Sequence, residues 1–192
     1  RLKQHAGFKQ TTPWIWPSRT STPASKSLEA FVRDLEDLVA PIAQQELKRY
    51  LKGVEDTSGI SSVWDGADYT AIAPDWSMLH LWRGGRWVAE STSNADTVNA
   101  AKNFLGTSKA LRGVLVAHNR WLNPMQQVAC GIARQPAGTG IAPHCDGNVL
   151  GLTCHLGLQV PEAGCWIEVG GKRRQWEERK VLLMDTTFVH QT

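Results

Sequence analysis

Residues 143–190 open with Pro143-His144-Cys145-Asp146 and close with Asp185-Thr186-Thr187-Phe188-Val189-His190. His144 and Asp146 are two apart, so on extended backbone both side chains leave the same face. The approach, Gly138-Thr139-Gly140-Ile141-Ala142, reads as a strand end that presents the pair at a rim. His190 follows an apolar run, Val181-Leu182-Leu183-Met184, and a short polar turn. All three residues therefore fall at strand ends, where the mouth of a β-barrel would hold them. Two imidazoles and a carboxylate on one face of an octahedral ion leave three positions open, the arrangement suited to non-haem Fe(II). Against this stands the plainer reading of common polar residues, since His-x-Asp followed by a later His arises often by chance.

The segment 150–160 alternates. Leu150, Leu152, Cys154, Leu156, Leu158 and Val160 share one face, and Gly151, Thr153, His155, Gly157 and Gln159 share the other. In a small barrel the first face would pack under helices and the second would line a cavity. Taken alone, His155 reads as a structural histidine with its hydrogen bonds satisfied.

Further motifs lie on both sides. Pro143-His144, His155-Leu156-Gly157-Leu158, Pro161-x-x-Gly164-Cys165, Trp176-Glu177-Glu178-x-Lys180-Val181-Leu182 and Asp185-x-x-Phe188-x-His190 occur in that order. Upstream stands Asp75-Trp76-Ser77-x-x-x-Leu81-Trp82-x-x-Gly85. Together they resemble the aspartyl/asparaginyl β-hydroxylase family of Fe(II)- and 2-oxoglutarate-dependent oxygenases. The resemblance implies a mainly β fold with flanking helices, a double-stranded β-helix of the jelly-roll, cupin-like kind. It implies Fe(II) held by His144, Asp146 and His190, with 2-oxoglutarate and O2 as cosubstrates. It also implies that His155 holds the keto-acid carboxylate nearest the iron.

The chain departs from the family pattern in two places. Animal β-hydroxylases carry Gly where this chain has Asp146, so a full triad replaces a two-histidine site. Thr153 stands where the family has an Arg beside the keto acid, and Arg134 is the candidate substitute, its other reading being a surface Arg. The Arg expected to clamp the distal carboxylate would fall beyond Thr192, so truncation at the C-terminus is expected. These departures favour oxidation of an unactivated C–H in an amino acid or amino-acid-derived small molecule. One alternative is β-hydroxylation of aspartyl or asparaginyl side chains in peptides or proteins. Another is a non-catalytic cupin-like binding module.

The remaining sequence bounds these readings. With 192 residues, 42% hydrophobic and 20% charged, the chain suits one globular domain. A net charge of +3 is too small to suggest nucleic acid, and Lys172-Arg173-Arg174 reads as a hairpin tip. No apolar run reaches the ~18–20 residues of a membrane span. No leader is visible, although the chain does not start with Met. The four cysteines form no Cys-x-x-Cys pair, and Cys130 and Cys154 read as buried free thiols, which favours the cytoplasm.

Residues 1–25 read as an extended arm docked by Trp14 and Trp16, and 26–192 as a single oxygenase domain. Within it, 26–53 should be helical, capped by Ser27 and broken or kinked at Pro41, and the β core should begin near residue 76. A helix is expected over 94–112 and short strands over 114–117 and 127–133. Asp185 has two readings, ordering its turn or supporting a ligating histidine. Trp166 and Trp176 read as core.

Overall fold

A computed structural model describes residues 13–16, 23–53, 76–91, 95–118, 129–146 and 152–192. The strands are β1 (Trp14–Trp16), β2 (Ser77–Arg83), β3 (Arg86–Trp87), β4 (Cys130–Arg134), β5 (Thr153–Leu156), β6 (Trp166–Val169), β7 (Lys172–Gln175), β8 (Val181–Met184) and β9 (His190–Gln191). The α-helices are α1 (Pro23–Asp34), α2 (Ala40–Gly53), α3 (Ala95–Lys102) and α4 (Leu105–Ala117).

Strand β8 organises the half of the fold that carries the site. It lies between β1 and β5, antiparallel to both, and all four of its residues are buried. Val181 and Leu183 pack on Leu28, Phe31, Val32, Leu35 and Val39, the apolar stripe of the first helical unit. Leu182 and Met184 turn the other way, onto Trp14, Ile167 and Val169. A strand covered on both faces loses the alternation of a surface strand, which is why Val-Leu-Leu-Met is apolar throughout. The register pairs Thr153 with Met184 and His155 with Leu182. Thr153 and His155 therefore face the sheet β7-β6-β9, and Leu156 faces the helices. A third sheet, β3-β2-β4, packs on α2, α3 and α4 through Leu79, Leu81, Ile132, Leu47, Ala101 and Phe104.

Several expectations are corrected. Helical residues outnumber strand residues, so the fold is mixed rather than mainly β, and no closed barrel occurs among the described residues. Residues 114–117 are the last turn of α4, because Leu111, Val114 and Leu115 continue a helical spacing that a run of branched residues disguises. Cys154 is exposed and Cys130 half-buried by area, although both thiols lie deep enough that burial raises their pKa, to about 12 and about 11. Ser27 lies inside α1, which starts earlier with Pro23 at a position that needs no amide donor. Pro41 does not break the helix. A wide π turn over Leu35–Val39 precedes it and spreads the backbone where proline cannot donate and would crowd the carbonyl four residues back. From that turn Glu36 accepts from the Val181 amide at 2.9 Å and the Lys180 ammonium at 2.9 Å, pinning it to β8. Strand β1 belongs to the proposed N-terminal arm, and Trp14 docks there, buried, with its indole N–H donating to the Lys172 carbonyl at 3.1 Å. Arm residues 1–12 and 17–22 lie outside the described residues, as do 150–151 and 127–128 of the expected strands.

The turn into β8 holds Arg179 at φ 61°, a left-handed conformation that crowds any Cβ. Arg179→Gly is expected to stabilise the fold by about 0.5–1 kcal/mol, the relieved strain less the extra freedom of an unfolded glycine. Urea denaturation measures it, and a loss of stability would contradict it.

Candidate metal centre

The segments 141–146 and 186–192 come together as an irregular antiparallel pair. His144 and His190 exchange both backbone bonds, amide to carbonyl, at 3.0 and 2.9 Å. The Asp146 amide donates to the Thr186 carbonyl at 2.9 Å, and the Thr192 amide to the Ile141 carbonyl at 3.2 Å. Directly opposed residues share a face, so the two imidazoles stand side by side, with Asp146 two residues along. Gly140 has a specific reason to be glycine: a Cβ there would lie 2.6 Å from the Thr192 carbonyl oxygen.

The ring centroids of His144 and His190 are 4.1 Å apart. Each Nε2 is 3.8 Å from Asp146 Oδ1, and one ligand atom from each of the three residues lies within 4.8 Å of the others. The outer nitrogens are also committed. His144 Nδ1 meets the Ala142 carbonyl at 2.8 Å, and His190 Nδ1 meets the Phe188 carbonyl at 3.0 Å. A carbonyl only accepts, so both Nδ1 atoms carry hydrogen and both Nε2 lone pairs face the cluster. Hydrogen-bonded orientation of this kind is what a ligating histidine requires. Two imidazoles and a carboxylate, aimed at one point, fit a divalent ion such as Fe(II).

Asp185 serves its turn. Its Oδ1 accepts from the Thr187 amide at 2.9 Å and the Thr187 hydroxyl at 2.6 Å, while backbone carbonyls support both histidines. Thr153 brings in a residue that sequence reasoning passed over. Its hydroxyl lies 2.9 Å from that of Thr186, which is buried and whose carbonyl holds the Asp146 amide. Thr186 sits in what reads as a polar turn, and nothing in its spacing marks it.

His155 lies on the same strand face as Thr153. Burial lowers its pKa to about 4, with the nearby His190 adding to the effect and Asp146 opposing it. The ring is therefore neutral at pH 7. Arg134 ends β4 opposite Ser77 and is half-buried. Among the described residues no hydrogen bond or ion pair joins it to the cluster. The structure thus brings His144, Asp146 and His190 together and ties Thr153 to them through Thr186.

Comparison with known proteins agrees on one family. A family model described as aspartyl/asparaginyl β-hydroxylase matches residues 28–192. The mouse aspartyl/asparaginyl β-hydroxylase is 32% identical over 118 residues, covering 61% of this chain and 14% of that protein. Its human counterpart is 31% identical over 118 residues with the same shares. The rat aspartate β-hydroxylase domain-containing protein 2 is 42% identical over 53 residues, 28% of this chain and 15% of that protein. The matched part is thus a small fraction of each relative's length. No described helix is long and apolar enough to cross a membrane.

Proposed function

Because the chain belongs to the aspartyl/asparaginyl β-hydroxylase family, we propose that it is an Fe(II)- and 2-oxoglutarate-dependent oxygenase hydroxylating aspartyl or asparaginyl side chains of peptides or proteins. The observation that carries this reading is the convergence of His144, Asp146 and His190 with both imidazole Nε2 lone pairs facing inward. A preference for a small free metabolite gives way here to the alternative, because the matched relatives are named for aspartyl and asparaginyl residues.

Within this reading the three side chains hold the iron. When bound, Fe(II) with 2-oxoglutarate and O2 supplies oxidative decarboxylation to succinate and CO2, coupled to insertion of one oxygen atom into a substrate C–H bond. Asp146 would offset part of the metal charge and complete a two-histidine, one-carboxylate ligand set. The carbonyls of Ala142 and Phe188 keep each imidazole from turning its lone pair away. His155, with Thr153 beside it, binds the keto-acid carboxylate. Arg134 is the candidate cation for that anion. The sheets β1-β8-β5 and β7-β6-β9, facing each other across Leu182, Met184, Ile167 and Val169, support a double-stranded β-helix core. Residues 26–192 would form one oxygenase domain.

Incubation with Fe(II), ascorbate, 2-oxoglutarate and air, with mass spectrometry of the substrate, tests the class. Asp- or Asn-containing peptides are expected to gain one oxygen atom, and free aspartate or asparagine much less. Oxidation of free amino acids with no peptide product would return the small-molecule reading.

A further inference from the structure

Trp176 touches the site through a single polar atom. Its indole Nε1 lies 3.2 Å from His155 Nδ1, and the two rings stack with centroids 5.9 Å apart and planes 27° apart. The Trp176 amide donates to the Cys165 carbonyl at 3.3 Å, and its ring packs on the cluster of Trp14, Ile167, Val169, Leu182 and Met184. An indole N–H can only donate, so His155 Nδ1 must accept. A neutral imidazole that accepts at Nδ1 carries its hydrogen on Nε2. The other tautomer would present a lone pair to a carboxylate and repel it.

We propose that Trp176 is a positioning residue: its indole N–H holds His155 as the Nε2–H tautomer, so that a neutral ring donates to the keto-acid carboxylate beside the metal cluster. The role rests on the oxygenase reading given above. It matters more here because Thr153 is neutral and short. With no cation at that position, the anion depends on donors that already point the right way. The Thr153–Thr186 hydroxyl pair, at 2.9 Å, supplies a second neutral donor on the same strand face. Tryptophan thereby has a use that its place in the apolar cluster does not require. Phenylalanine would fill much of the same space and could not orient the histidine.

The test uses the full chain and two readouts. Nitrogen-15 NMR of the imidazole rings in metal-free protein, with His155→Gln identifying the signals, is expected to show wild-type His155 as Nε2–H alone. In Trp176→Phe the ring is expected to populate both tautomers. Calorimetric titration of the anaerobic Fe(II)-loaded protein with 2-oxoglutarate is expected to give a Kd about tenfold weaker in Trp176→Phe, the usual scale for losing an orienting partner. Wild-type His155 protonated at Nδ1 overturns the proposal even if the variant fails to fold. A weakened Kd with the tautomer unchanged also overturns it, since packing alone would then explain the loss. Wild-type protein that holds the tautomer yet binds no 2-oxoglutarate sinks the oxygenase reading and leaves the hydrogen bond without the proposed role.

Discussion

His190→Ala is expected to lower turnover by roughly a thousandfold or more and to weaken Fe(II) binding below detection, while the protein stays folded. The estimate follows from removing one of three ligands, where the loss of a mere orienting partner already costs roughly 10–100-fold. His190 is the most buried of the three, its Nδ1 is committed to the Phe188 carbonyl, and its Nε2 lies 3.8 Å from Asp146 Oδ1. The backbone bonds with His144 do not involve the side chain, so the pairing of the two segments should survive. Circular dichroism and iron titration separate the effects. Iron binding unchanged in the variant would mean that the cluster is a polar surface feature.

The second large effect lies away from the site. Glu46 is buried on α2, and its carboxylate accepts from the Gly106 amide at 2.9 Å, the Thr107 amide at 2.8 Å and the Thr107 hydroxyl at 2.6 Å. Helix α4 has no side-chain cap of its own at Phe104, so Glu46 satisfies its first amides and places negative charge at its positive end. Glu46→Ala would leave buried donors without partners and is expected to destabilise the protein by about 3 kcal/mol. For a chain of this size that is a fall in Tm of roughly 6–12 °C. Glu46→Gln should lose less, since one oxygen still accepts. Thermal melting of both variants checks this, and equal stability of Glu46→Ala and wild type would remove the capping role.

The same contact shows where reading the sequence stops. A glutamate in the middle of α2 carries no local mark of capping a helix sixty residues later. Nor does the run Val114-Leu115-Val116, whose branched side chains suit a strand while their neighbours Leu111 and Ala110 continue a helix. Strand β8, by contrast, was legible because four apolar residues between polar turns have few other uses in so small a protein. That His144 and Asp146 share a face was legible for a geometric reason: an i, i+2 pair on extended chain must do so. The position of His190 opposite His144 depends on pairing between distant segments, and there the resemblance carried the expectation. Thr186 and the tautomer of His155 depend on single hydrogen bonds that no spacing encodes. The choice between turn and ligand support for Asp185 likewise rested on where one carboxylate oxygen points.

The most direct test of the account is release of succinate from 2-oxoglutarate by the protein supplied with Fe(II), ascorbate, air and an Asp- or Asn-containing peptide. Wild type should form succinate in step with peptide oxidation, and His190→Ala should form none. Equal succinate from both proteins, or a wild type that neither binds Fe(II) nor releases succinate, would contradict it.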